Sequence, residues 1–207
     1  MTQLIDFILH IDSHLIDLIA NYGTWIYAIL FLIVFAETGF VVTPFLPGDS
    51  LLFAAGGMAA IGNLSLPNLM VSLSIAAILG NVLNYAIGYF LGHQILEKGW
   101  VKKNYLDQTE EYFKKHGAQT IIFSRFAPIL RTIAPFVAGL GKMEYRKFML
   151  YNIAGALCWV VLCLCAGYFL FNIDIVKKNF SLITLGIIAV SLIPAFLTFI
   201  RARKQQL

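Results

Sequence analysis

The sequence predicts an all-α polytopic membrane protein with an amphipathic N-terminal helix, two opposed re-entrant hairpins and about three full transmembrane helices. Three observations carry that expectation. The chain is 59% hydrophobic and only 13% charged, with a mean hydropathy of +0.80, outside the mix of a water-soluble domain. Three apolar runs reach the roughly 20 residues that cross a bilayer. Two further apolar segments are too short to cross, and each is interrupted by a pair of prolines. The 207 residues suffice for one membrane domain, and nothing in the composition marks off a soluble module.

Residues 1–22 lack a basic start and a continuous apolar core, so they read as an interfacial helix and not as a signal peptide. Asp6, His10, Ser13, Asp17 and Asn21 recur at helical spacing, with Leu4, Phe7, Ile8, Ile11, Leu15 and Leu18 between them. Residues 24–62 form the first hairpin, which is acidic. Its apolar run stops at Pro44 and Pro47, because proline lacks the N–H that continues a helix and clashes with the preceding turn. The apolar piece after the break, 51–61, makes about 17 Å of helix against a hydrocarbon core of about 30 Å. Such a segment enters and returns, and its tip needs protein or a watery cavity around it.

Residues 68–92 are the first full span, and 93–118 form a mixed-charge cytoplasmic loop with a short surface helix. The second, basic hairpin occupies 119–143 and is broken by Pro128 and Pro135. Spans at 145–171 and 180–200 complete the chain. Arg201, Arg203 and Lys204 place the C-terminus in the cytoplasm. Counting back puts Lys142, Arg146, Lys147 and the lysine-rich loop on the same side. The acidic hairpin then enters from outside, the basic one from inside, and the two tips meet near the midplane. Paired interrupted segments of this kind are the best pointer to a transporter binding site.

The net charge of +4 is scattered, a topology signal and not a nucleic-acid footprint. Cys158, Cys163 and Cys165 share one apolar run and read as small packing residues, with neither metal spacing nor a disulfide framework. No metalloprotease helix, phosphate loop or nucleophile elbow is present, so no enzyme, metal or cofactor is expected. His10, His14, His93 and His116 read as solvated polar residues.

The chemistry is expected at the two breaks. Charges at membrane depth are costly and default to functional candidates. Arg125 and Arg131 suit a phosphate, since a guanidinium grips two oxygens at once and stays charged. They are six apart around a proline, so a regular helix would not put them on one face, whereas a broken loop can converge them. The competing reading pairs them structurally with Glu37 and Asp49. Those carboxylates hold a proton when dry and release it beside an arginine, which makes them candidates for proton coupling. Asp49 also suits an N-cap of the helix that follows. Gly80, Asn84, Gly88 and Gly92 are four apart and form a close-packing face. Beside them, Asn81, Asn84, Tyr85 and, later, Asn152 are candidates for secondary polar contacts with the hairpin tips or the substrate. Gly155 and Trp159 carry the same two readings, and Tyr145 and Trp159 also suit an interfacial aromatic belt.

The pattern Glu37-x-Gly39, Pro44-x-x-Pro47-Gly48-Asp49 and Phe123-x-Arg125-Phe126-x-Pro128-x-x-Arg131-x-x-x-Pro135-x-x-Ala138-Gly139-x-x-x-Met143 resembles the DedA family, also called the SNARE-associated or VTT domain family. The resemblance covers nearly the whole chain and runs towards bacterial members. It implies an inner-membrane protein with two opposed re-entrant hairpins that translocates lipid, undecaprenyl phosphate in some bacterial members and phospholipids in eukaryotic relatives. It also implies dependence on proton motive force, with the required acidic and arginine positions falling on Glu37, Asp49, Arg125 and Arg131. One departure is Asn81, where close relatives often carry aspartate; hydrogen bonding survives there, a proton role does not.

The expected function is therefore a proton-linked flippase or transporter of a lipid-linked phosphate. Its partners would be membrane lipids, a polyprenyl-phosphate-type anionic lipid and protons, with a homo-oligomer compatible. The alternatives are a proton-coupled small-ion exchanger for pH or osmotic tolerance and a non-catalytic structural or chaperone-like membrane protein. A lipid-phosphate enzyme lacks a nucleophile–histidine arrangement.

Overall fold

Length separates the helices of this protein into two kinds. The structure, a computed structural model, describes residues 23–40, 48–97, 103–171 and 173, and no strand occurs among them. Among the described residues, two helices are long and apolar enough to cross a bilayer: α3 (Leu66–Glu97) and α7 (Tyr145–Leu170). Three apolar helices among them are short: α1 (Trp25–Gly39), α2 (Gly48–Ala60) and α6 (Pro128–Leu140). At 13 residues, α2 and α6 extend about 20 Å, well below the roughly 30 Å of a hydrocarbon core. The polar helix α4 (Lys103–His116) and the single-turn α5 (Thr120–Phe123) lie between α3 and α6. The predicted N-terminal interfacial helix, the first break with Pro44 and Pro47, and the last predicted span lie outside the described residues.

The apolar span of α3 is Leu66–Gly92, ending where the predicted span ends, and the helix itself continues to Glu97. One expectation about a break needs correction. Pro135 does not break the second short segment, because α6 runs through it to Leu140. The break falls at Ala127, whose extended backbone (φ −118°, ψ 111°) is the conformation favoured before a proline. Pro128 then starts α6, where its missing N–H costs nothing. Pro135 withholds an N–H from the Arg131 carbonyl, but every residue from Arg131 to Gly139 is buried, and that packing keeps the helix continuous.

Two compact units divide the chain, the boundaries falling inside α1, α3 and α7. The first takes the described residues of Met1–Phe31, Pro47–Leu73 and Val160–Leu207. There α2 is buried almost throughout, as Leu51, Leu52, Phe53, Ala54, Ala55 and Met58 attest. A helix apolar on all sides must be surrounded by other chain or by lipid. Its backbone meets α7 directly: a Cβ on Gly56 would overlap the Leu164 carbonyl, and one on Gly167 the Phe53 carbonyl. The Ser65 N–H donates to the Tyr27 hydroxyl at 2.7 Å.

The second unit takes the described residues of Leu32–Leu46 and Ser74–Trp159. Here the close-packing face of α3 receives two helices. Gly80 lies under Thr38 and the Phe35 carbonyl of α1, and Gly88 lies under the Phe136 carbonyl of α6. Gly139 of α6 answers with the Tyr85 carbonyl of α3. Helix α4 packs on α6, with Phe113 turned towards a core of Tyr85, Ile121, Ala134, Ala138 and Phe148. Gly139→Ala forces two backbones apart where no flexible side chain can yield. A loss of about 1–3 kcal/mol is expected, read as a lower Tm of the purified protein in detergent.

The outer faces are apolar and the polar side chains are inside. On α7, Leu150, Ile153, Leu157 and Val161 are exposed at helical spacing, while Asn152 is fully buried. On α3, Val71, Ile75 and Leu79 are exposed, while Asn81 and Asn84 are buried. That inversion suits lipid as the surrounding medium. The three cysteines are free thiols, and Cys158 is exposed on α7 instead of packed.

Candidate functional site

The second unit encloses a chain of buried polar groups. Arg125 is the middle residue of the 3-10 turn Ser124–Phe126 that precedes the break, and it is 1% exposed. Its Nη2 donates to the Asn152 Oδ1 at 2.8 Å and makes a long contact, 3.5 Å, to the Ala77 carbonyl. Its Nε and Nη1, which carry three of the five guanidinium N–H groups, have no hydrogen-bond partner among the described residues. The stem lies against Gly155, where a Cβ would sit 3.1 Å from Cδ and 3.2 Å from Nε. Glycine at 155 lets the Arg125 side chain approach α7 closely.

Asn152 fixes that guanidinium. Its Oδ1 also accepts from the Asn81 Nδ2 at 3.1 Å, and its own Nδ2 donates to the Ile78 carbonyl at 3.1 Å. With both ends of the amide engaged, the acceptor is held towards Arg125.

Arg131, on the first turns of α6, is 4% exposed and pairs with Glu37 of α1, Nη2 to Oε1 at 2.5 Å. Glu37 is 1% exposed, so the pair has left solvent entirely. The Arg131 guanidinium also lies over the Trp159 ring, 5.0 Å from its centroid. Such a contact gains strength when desolvated. Arg125 lies within electrostatic reach of both Arg131 and Glu37.

Asn84 ties the helices that carry this pair. Its Nδ2 donates to the Thr38 carbonyl at 3.2 Å and to the Thr132 carbonyl at 2.7 Å. Thr38 is the penultimate residue of α1, where carbonyls have run out of helical N–H partners. The Oδ1 atoms of Asn81 and Asn84 are buried acceptors with no partner among the described residues.

The structure thus gathers Glu37, Arg125, Arg131, Asn81, Asn84 and Asn152 in one unit. Arg131 is ion-paired with Glu37, a contact that both readings of the arginines allow. Tyr85 stands apart from the arginines: its hydroxyl donates to the Met143 carbonyl at 2.5 Å, in the turn after α6. Asp49 belongs to the first unit and lies inside the first turn of α2, one residue past the helix start, at the positive end of the helix. Trp159 is buried under Arg131 and not in an interfacial belt. Sequence reasoning missed Thr38 and Thr132, whose contribution is a backbone carbonyl that no side-chain pattern announces. Trp159 falls on one helix face with Asn152 and Gly155, the residues with which the sequence already groups it.

A helical membrane protein that keeps two arginines dry, one of them without a carboxylate in contact among the described residues, is the class this fold and site define. Residues 46–169 match the VTT domain. Over 206 residues the chain is 52% identical to the protein DedA of Escherichia coli, covering 97% of this chain and 94% of that protein. It is 39% identical over 168 residues to an uncharacterised membrane protein of Mycobacterium leprae, covering 80% of this chain and 75% of that one. To the inner membrane protein YqjA of Escherichia coli it is 34% identical over 148 residues, covering 70% of this chain and 67% of the relative. No solved structure matches. The chain belongs to the VTT-domain (DedA) family of membrane proteins.

Proposed function

We propose that this protein is a non-enzymatic flippase or transporter of the bacterial inner membrane, moving a lipid-linked phosphate, with undecaprenyl phosphate as the first candidate, and driven by protons. The carrying observation is Arg125: a buried cation held by a neutral amide, with Nε and Nη1 unspent. Burying a charge without a counter-ion is expensive, so the site is matched to an anion that brings its own charge. A phosphate has oxygens enough for both arginines. The lipid tail stays in the bilayer and only the headgroup needs the polar path.

Glu37 supplies the coupling. When ionised it holds Arg131; when protonated it gives up the ion pair, and Arg131 can turn to the phosphate beside Arg125. Proton arrival and anion binding then favour each other. The short apolar helices α2 and α6 fit re-entrant arms, and the family relative named as an inner membrane protein supports the location. Asp49, at the start of α2, is the second candidate for the proton path.

The test is reconstitution into vesicles with labelled undecaprenyl phosphate and an imposed pH gradient. Movement of label that follows the gradient is expected. Glu37→Gln should abolish the gradient response while some passive exchange persists, because the amide keeps the shape without the titrating proton. An undiminished pH response in both Glu37→Gln and Asp49→Asn would remove the proton-coupling role. Label that stays in one leaflet while small anions exchange would favour an ion exchanger instead.

A further inference from the structure

An open cleft of about 430 Å³ lies in the second unit, away from the hydrogen-bonded contacts of the arginines, and neither the ion pair nor the asparagine network uses it. That size falls in the range of small-molecule sites. Val82, Ala86 and Phe90 give it one apolar wall, and Tyr89, Lys142 and Tyr145 add polar groups to the lining. Its floor is rigid. The Tyr85 hydroxyl is fixed on the Met143 carbonyl at 2.5 Å, and the Tyr85 ring stacks on Phe148 with centroids 4.4 Å apart.

The lysine is the telling residue. Lys142 has φ +51°, and it is the one non-glycine residue with positive φ among those described. Glycine takes that conformation with no steric cost, and a long side chain does not. A lysine in a conformation that favours glycine is a strained residue, and it stands in the lining of this cleft. Phe90 in the apolar part of the lining is 76% exposed, so that side of the cleft opens towards the medium that surrounds the helix.

We propose that the cleft binds an anionic phospholipid, its phosphate against Lys142 and the tyrosine hydroxyls, one acyl chain along Val82, Ala86 and Phe90. A soluble anion has no use for the apolar wall. A zwitterionic headgroup sets its own cation near the ammonium. An anionic lipid satisfies both halves of the lining. The site is separate from the arginine centre, and its test reads binding, not transport.

Native mass spectrometry of the full chain in detergent, titrated with phosphatidylglycerol or phosphatidylcholine of matched chains, measures the preference. Phosphatidylglycerol is expected to bind more tightly. Lys142→Gly should weaken it about fivefold, the share of one lysine near a lipid surface, and leave Tm equal or higher because glycine suits φ +51°. Ala86→Leu, which fills the wall, should weaken both lipids. Lys147→Ala, at an exposed lysine paired with Glu144 at 3.3 Å, should change neither. The proposal fails if the two lipids bind equally, if Lys142→Gly or Ala86→Leu binds as the wild type does, or if Lys147→Ala loses as much as Lys142→Gly, which would indicate diffuse surface charge.

Discussion

Arg131→Ala is expected to be the most damaging single substitution in the protein's second unit. It leaves the Glu37 carboxylate 1% exposed with its cation gone, and it strips the Trp159 ring of the charge above it. Breaking a buried pair from one side typically costs about 3–5 kcal/mol, because the surviving charge stays buried after its counter-ion is gone. Thermal unfolding of the purified protein in detergent should show a large fall in Tm. Adding Glu37→Gln removes the orphaned charge, so the double variant should regain a substantial part of the loss. A single variant as stable as wild type would mean that Glu37 reaches water when Arg131 is gone.

The second large effect is on transport and not on folding. Arg125→Lys keeps a cation that can still donate to the Asn152 Oδ1, so Tm should stay near the wild-type value. It loses the planar fork and the Nε–H and Nη1–H groups that the resting protein leaves unspent. Loss of one or two charge-assisted hydrogen bonds to a phosphate corresponds to roughly 10- to 100-fold lower transport of labelled lipid in vesicles. Arg125→Ala with Arg131→Ala should abolish it. Wild-type transport by that double variant would exclude a phosphate site at the arginines.

Much of this centre is legible in the sequence because rare events mark it. Arginine and glutamate inside apolar runs stand out by cost, and glycines four apart announce where backbones touch. Helical spacing also puts Asn84 on the glycine face, so its position between α1 and α6 follows once those helices dock. The choice of partners is not legible. That Arg131 and not Arg125 takes Glu37 depends on how α1 and α6 cross α3, which no local pattern encodes. Pro135 misleads for the same reason. Its local preference is to break a helix, and burial on every side from Arg131 to Gly139 overrides it. The restriction that Pro128 imposes on Ala127, by contrast, is local and steric, and it holds.

Asn84 has a mechanical meaning. One amide clasps the end of α1 and the body of α6 against α3, and the glycine contacts leave no lubricating side chains between them. Those three segments behave as one lever: to slide any of them is to tear a buried hydrogen bond. Between Ala118 and Leu140 the sole residue outside helical geometry is Ala127, and Arg125 lies on its far side from Arg131 in the chain. That one extended residue parts the turn that carries Arg125 from the helix that carries Arg131, so the lever holds one guanidinium and a separate stretch of backbone holds the other.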